Sequence, residues 1–274
     1  MDFADIAKMF DRLEATSARL EMTSILAEFF RTVPPEELRD LVYIIQGKLH
    51  PDFYQIEFGM ADRLILKAIA FTSGTPDAKV EELWLKEGDP GTVAEMLIGK
   101  KKQMTLFSEP LTFARVIKGL SQIETSEGKD SQEMKMKILS NMLHDSGPVE
   151  ARYLCSIVTG RMRLGASTMT ILDALALTFA TKENRPEIER AFNITCDIGL
   201  VAEELAKNGM AGIEDIHVKV GNPIKVMLAE RLPSIPEVVE KMGGECAIEY
   251  KYDGIRAQVH IGKDSVKLAR KGTA

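Results

Sequence analysis

Between Ala4 and Asn208 apolar residues return at intervals of three and four, the period of helices that turn one face inward. Leu20, Ile25, Leu26, Phe29 and Phe30 make one such stripe, and Leu64, Ile65, Ala68 and Ile69 make another. The residues between stripes suit helix ends. Pro34-Pro35-Glu36-Glu37 sets proline and acids in a first turn, where proline's missing N–H costs nothing and negative charge meets the helix dipole. Asp130 with Glu133 reads as a capping box opening a helix over 134–143. Gly74, Gly88, Gly128, Gly147 and Gly165 fall where the chain should turn. The spacing predicts roughly ten to twelve helices with no repeat of fixed period.

After Gly209 the texture changes. Gly212, Gly221, Pro223, Pro233, Pro236 and Gly243-Gly244 surround one short helical pattern at 235–242. From Glu245 onward the alternation has period two: Ile248, Tyr250 and Tyr252 point one way, Glu249 and Lys251 the other. Asp253-Gly254 interrupts it, a strong hairpin signal, and Ile255, Ala257, Val259 and Ile261 alternate on the return. A second turn at Gly262-Lys263-Asp264 leads to Val266 and Leu268 on a third strand. The expected fold class is therefore mainly α, an all-helical domain over 1–210 followed at 211–274 by the first β-strands of an α+β domain, with the boundary near 209–222.

Composition narrows the class. A hydrophobic content of 45% with 28% charged residues supplies a core and excludes wholesale disorder. No run of 18 apolar residues occurs, and residues 1–10 lack a basic-then-apolar leader, so a cytoplasmic protein away from membranes is expected. Cys155, Cys196 and Cys246 are widely spaced and form no CxxC pair, which points to buried small hydrophobes rather than disulfides or zinc. His144, His217 and His260 lack metal-ligand spacing, and Met134, Met136 and Met142 read as core or helix surface. A net charge of -6 excludes indiscriminate coating of nucleic acid and leaves local basic faces open. Two qualify: Lys100-Lys101-Lys102, which is equally a solvated helix end, and the stretch from Arg152 that carries Arg161 and Arg163, with glycines at 160 and 165.

The residues that carry chemistry lie on the first hairpin. Strand period two puts Glu249 and Lys251 side by side just before a tight turn, with Arg256 just across it. With ATP against that face, the Lys251 amine attacks the α-phosphate and expels pyrophosphate, leaving AMP on the lysine. The amine must be neutral to do so, and its pKa must fall from about 10.4 by burial or by neighbouring cations such as Arg256 or magnesium. An acidic neighbour raises it, so Glu249 suits an adenine or orientation contact, while the planar fork of Arg256 suits sugar or phosphate. On spacing alone the segment is also an ordinary solvated turn, with Asp253 present for turn geometry.

Residues 249–260, EYKYDGIRAQVH, closely resemble the nucleotidyltransferase lysine motif KxDGxR in the form found in archaeal and eukaryotic ATP-dependent DNA ligases. Gly221-Asn222-Pro223-Ile224-Lys225 and Met227-Leu228-Ala229 resemble that family's entry into its adenylation domain. Arg161-Met162-Arg163-Leu164-Gly165, Thr170-Ile171-Leu172-Asp173-Ala174-Leu175 and residues 193–199 resemble its helical DNA-binding domain. The resemblance covers essentially the whole chain and sets the solvated-turn reading aside. It implies Lys251 as the adenylated nucleophile, Glu249 as an adenine contact and Arg256 as an AMP contact. Arg270, in Leu268-Ala269-Arg270-Lys271, stands one residue out of register with the family's next nucleotide-binding arginine. It also implies ATP and magnesium as cofactors and Arg161 and Arg163 on the DNA side, while Lys100, Lys101 and Lys102 stay open between a DNA contact and a solvated helix end. The implied partners are nicked double-stranded DNA and, as a further candidate, a sliding clamp, with the protein a monomer.

The family's later acidic and aromatic residues and its OB-fold lie beyond Ala274, so this polypeptide is expected to bind DNA while holding an incomplete nucleotide pocket. The competing expectations are an RNA ligase or capping nucleotidyltransferase, which share the lysine hairpin, and a DNA-binding module without catalysis.

Overall fold

In a computed structural model, residues 1–100, 110–226, 230–250, 253, 257–263 and 266–270 are described. The helices are α1 (Phe3–Glu14), α2 (Arg19–Phe30), α3 (Pro35–Ile45), α4 (Asp62–Ser73), α5 (Asp77–Glu87), α6 (Pro90–Ile98) and α7 (Phe113–Thr125). They continue as α8 (Ser131–Asp145), α9 (Pro148–Val158), α10 (Thr168–Phe179), α11 (Arg185–Thr195), α12 (Ile198–Glu214) and α13 (Ile235–Lys241). One 3-10 turn, Asp52–Tyr54, joins α3 to α4. Strands β1 (Ala257–Ile261) and β2 (Val266–Arg270) close the order as an antiparallel pair. The mainly helical class with its first strands at the far end is thus what the chain adopts.

The helices pack in pairs distant in sequence: α3 on α12, α6 on α9, α2 on α10 and α4 on α8. Phe3, Phe10, Leu26, Phe30, Leu41, Leu154 and Leu172 lose all exposure in the resulting core. Each fully buried side chain of this size contributes about 1.5–3 kcal/mol. Backbone hydrogen bonds from Phe3 N–H to Leu111 O (2.8 Å) and Phe113 N–H to Met1 O (2.9 Å) tie α1 to α7.

Two polar networks fix the crossings. Gly199, in the first turn of α12, lies so close to α3 that an added Cβ would stand 2.3 Å from the Tyr43 ring. The ring therefore reaches past it, and the Tyr43 hydroxyl donates to Asp197. The Asp197 carboxylate also caps α12 by accepting the Leu200 N–H at 2.9 Å, and Arg39 stands 3.5 Å from it. Burial, then the neighbouring Asp197 charge, pushes the Tyr43 phenol up, so it stays a donor. In the second network Arg152 of α9 bonds Asp11 of α1, lies 3.1 Å from Glu14 and reaches Glu95 of α6 at 3.3 Å. Arg152 is thus committed to packing three helices, which removes it from the basic stretch anticipated between residues 152 and 163.

Three local expectations change. Leu20 is 84% exposed, because α2 turns Met22, Ile25, Leu26 and Phe30 inward and Leu20 falls outside that arc. Asp130 adopts φ -103 and ψ 10, not the extended conformation of a capping residue, and its side chain makes no cap. Half of such a box occurs at α9, where Glu150 Oε2 accepts the Gly147 N–H at 2.6 Å and the glycine has no side chain to return the bond. Lastly, residues 245–250 carry no ladder among the described residues, the turn residues 251, 252 and 254–256 lie outside them, and the strands that pair are β1 and β2. Ile248 and Tyr250 are 90% and 87% exposed, so nothing apolar holds that stretch against a partner strand.

Candidate functional site

The chain brings two helix-ending turns together on one face of the helical body. Helix α3 runs out through Gln46 into Gly47 (φ +71), and α9 runs out through Thr159 into Gly160 (φ +66). Both glycines take the left-handed conformation that ends a helix without a Cβ penalty. The turns touch: an added Cβ at Gly47 would lie 3.1 Å from Met162 Cγ. From Gly160 the chain is extended, so its side chains alternate. Met162 and Leu164 pack toward the core, while Arg161 and Arg163 are exposed.

Arg161 Nη1 lies 3.1 Å from Asp62 at the start of α4, a half-exposed pair worth little in water. Arg163 makes no ion pair among the described residues. Two basic side chains therefore face solvent beside a pair of turns. Lys100 follows the end of α6 with its N–H bonded to Leu97 O at 3.2 Å and is exposed; Lys101 and Lys102 lie outside the described residues.

Between the turns opens a cleft of about 510 Å³, lined in part by Gly47, Lys48, His50, Glu124, Thr159 and Gly160. Glu124 is nearly buried and stands 3.0 Å from His50 Nε2, while its Oε2 has no partner. The loop beside it is pinned by Lys135, whose buried ammonium donates to Phe58 O at 2.7 Å. Apart from Gly160, none of these residues stood out in the sequence. The signal that marks the cleft is the recurrence of a polar residue, glycine and a basic residue after an apolar helix, in Gln46-Gly47-Lys48 and Thr159-Gly160-Arg161.

At the other end of the chain, Glu249 is described and exposed, and Asp253 is likewise exposed. Lys251 and Arg256 lie outside the described residues, so their distances to Glu249 are not part of the geometry. Arg270 ends β2, with its backbone paired to Ala257. Among the described residues no group of three or more His, Cys, Asp and Glu side chains could hold a metal ion. Nor is any helix among them long and apolar enough to cross a membrane.

The family profile described as DNA ligase N terminus matches residues 2–176, and that of the ATP dependent DNA ligase domain matches residues 226–272. The chain belongs to the ATP-dependent DNA ligase family. The ligase profiles thus cover both the arginine-bearing turns and the lysine hairpin. A DNA ligase of Nitrosopumilus maritimus is 45% identical over 269 residues, covering 98% of this chain and 46% of that protein. One from Cenarchaeum symbiosum is 42% identical over 269 residues, again 98% and 46%. A protein named DNA ligase 2 from Korarchaeum cryptofilum is 40% identical over 265 residues, 96% and 45%. The chain spans about half the length of the curated relatives it matches.

Proposed function

We propose that this ligase-family chain serves the sealing of nicks in duplex DNA with ATP, and that it divides the work between two units. The helical unit, residues 1–210, holds the duplex by its phosphates through Arg161 and Arg163, with Lys100, Lys101 and Lys102 extending the basic face. The second unit, 211–274, presents Lys251 as nucleophile. Lys251 Nζ forms a bond to the α-phosphorus of ATP as the bond to the bridging oxygen of pyrophosphate breaks, and the ammonium proton leaves. AMP then passes to the 5′-phosphate at the nick, and the 3′-hydroxyl displaces it. Glu249 contacts adenine, and Arg256 with Arg270 contacts the sugar and phosphate of AMP. Nicked duplex DNA is the partner, a sliding clamp a second one, and the protein acts as a cytoplasmic monomer.

The observation that carries this reading is the pair of ligase profiles falling in order on the same chain, one over the arginine turns and one over the lysine hairpin. Family membership supports the chemistry; the steps and residue roles are ours. The test is incubation with ATP or GTP labelled at the α-phosphate, followed by peptide mapping. Whatever transfer occurs is expected to be weak, to come from ATP, to fall on Lys251 and to be lost in Lys251→Ala with DNA binding retained. Label on another residue, label persisting in Lys251→Ala, or preference for GTP would overturn it, the last in favour of a capping-type enzyme.

A further inference from the structure

The segment between α12 and α13 touches both the helical body and the hairpin, and one peptide group does both. The Lys225 N–H donates to Asn193 O at 2.7 Å. Asn193 lies in the last turn of α11, where carbonyls lack helical partners, so this bond satisfies a group that would otherwise be orphaned. The Lys225 ammonium lies 5.0 Å from the centre of the Phe192 ring, at the helix end that favours positive charge. On the other side of the same peptide unit, the Ile224 carbonyl accepts a hydrogen bond from Gln258 Nε2. Gln258 Oε1 in turn accepts the Ile224 N–H at 2.9 Å.

Gln258 is in β1, paired with Ala269 of β2, and the next pair on the same face is His260 with Lys267. That face is turned to the segment. Gly221, at φ +99, is approached so closely that an added Cβ would stand 3.0 Å from Lys267 Cδ. The opposite face carries Val259, Ile261, Val266 and Leu268, between 59% and 74% exposed. The hairpin is therefore docked by its polar face, through a side-chain amide that imitates a strand partner for one peptide.

We propose that Gln258 is a positioning residue: by clamping the Ile224–Lys225 peptide, which Asn193 holds from the other side, it sets where the lysine hairpin stands relative to the DNA-gripping body. Hydrogen bonds in series through one peptide polarise each other, so each end strengthens the other. The proposal rests on the ligase reading for its purpose and on the geometry alone for its existence. Its distance and exchange readouts need neither ATP nor DNA.

Fluorophores incorporated at Arg190 on α11 and Lys263 in the hairpin turn, both exposed, report the distance between the two units. Amide hydrogen exchange reports the bonds. In Gln258→Met, which keeps the length and loses both hydrogen bonds, the distance distribution should broaden and the Ile224 amide should exchange about 3–10-fold faster. Val259 and Leu268 amides should keep the parent's protection. Gln258→Glu retains an acceptor for the Ile224 N–H but no donor, and should fall between the two.

A distribution as narrow in Gln258→Met as in the parent, with the ladder intact, would overturn the proposal. If the ladder itself frays, Lys225→Pro decides, since it removes the N–H that Asn193 accepts and leaves the hairpin untouched: broadening supports the clamp and an unchanged distribution refutes it. Loss of Lys251 labelling with an unchanged distribution would count against Gln258. Label on a residue other than Lys251, with broadening in Gln258→Met, would count against the ligase mechanism and leave the clamp standing.

Discussion

Leu154 in α9 and Leu268 in β2 are the same side chain in opposite settings, fully buried in one case and 66% exposed in the other. The difference runs through the two regions they represent. The helical body closes on itself: its apolar stripes meet across helices remote in sequence, and its buried charges, such as Asp197, are bonded on several sides. The β1–β2 hairpin exposes its apolar face and is held by its polar one. A two-stranded hairpin is marginal alone, so its place depends on what it is fastened to. The closed unit thus carries the exposed Arg161 and Arg163, and the tethered hairpin follows the segment that bears Lys251.

Substitutions can break this contrast in graded steps. The largest effect is expected from Leu154→Ala, which leaves a cavity in a core with no slack and should cost about 2–5 kcal/mol in a urea unfolding titration. Arg152→Ala comes next. It strands Asp11, Glu14 and Glu95 around a half-buried gap and should cost about 1–3 kcal/mol by the same measurement, discounted from a fully buried pair because water reaches the site. Leu268→Ala should lie at the other extreme, within about 0.5 kcal/mol of the parent. A loss from Leu268→Ala comparable to that from Leu154→Ala would mean that the hairpin's apolar face is covered and that the contrast is wrong.

The helices were legible because period is a local signal repeated many times. Pro35 begins α3, and Gly74 and Gly88 end α4 and α5 in the left-handed conformation their positions suggested. Local signals failed where a long-range partner decided. Arg152 read as part of a basic run, yet acids from α1 and α6 claim it. Strand alternation over 245–250 was genuine in sequence, but alternation specifies a face and not a partner, and among the described residues no strand pairs with it. Glu124 and His50 meet only because α7 and the turn after α3 converge, which no spacing rule reveals. For the lysine motif the sequence is more informative than the fold, since Lys251, Arg256, Lys101 and Lys102 fall outside the described residues.

The central claim is that the helical body grips DNA through the turn bearing Arg161 and Arg163 without help from the lysine hairpin. It is tested most directly by the affinity of this chain for a nicked duplex across a range of salt concentrations. The parent and Lys251→Ala should give the same steep linear fall of log affinity with log salt. The double variant Arg161→Ala/Arg163→Ala should bind more weakly, with a slope shallower by about two. A double variant that binds like the parent, or a Lys251→Ala variant that loses as much affinity as the double variant, would contradict it.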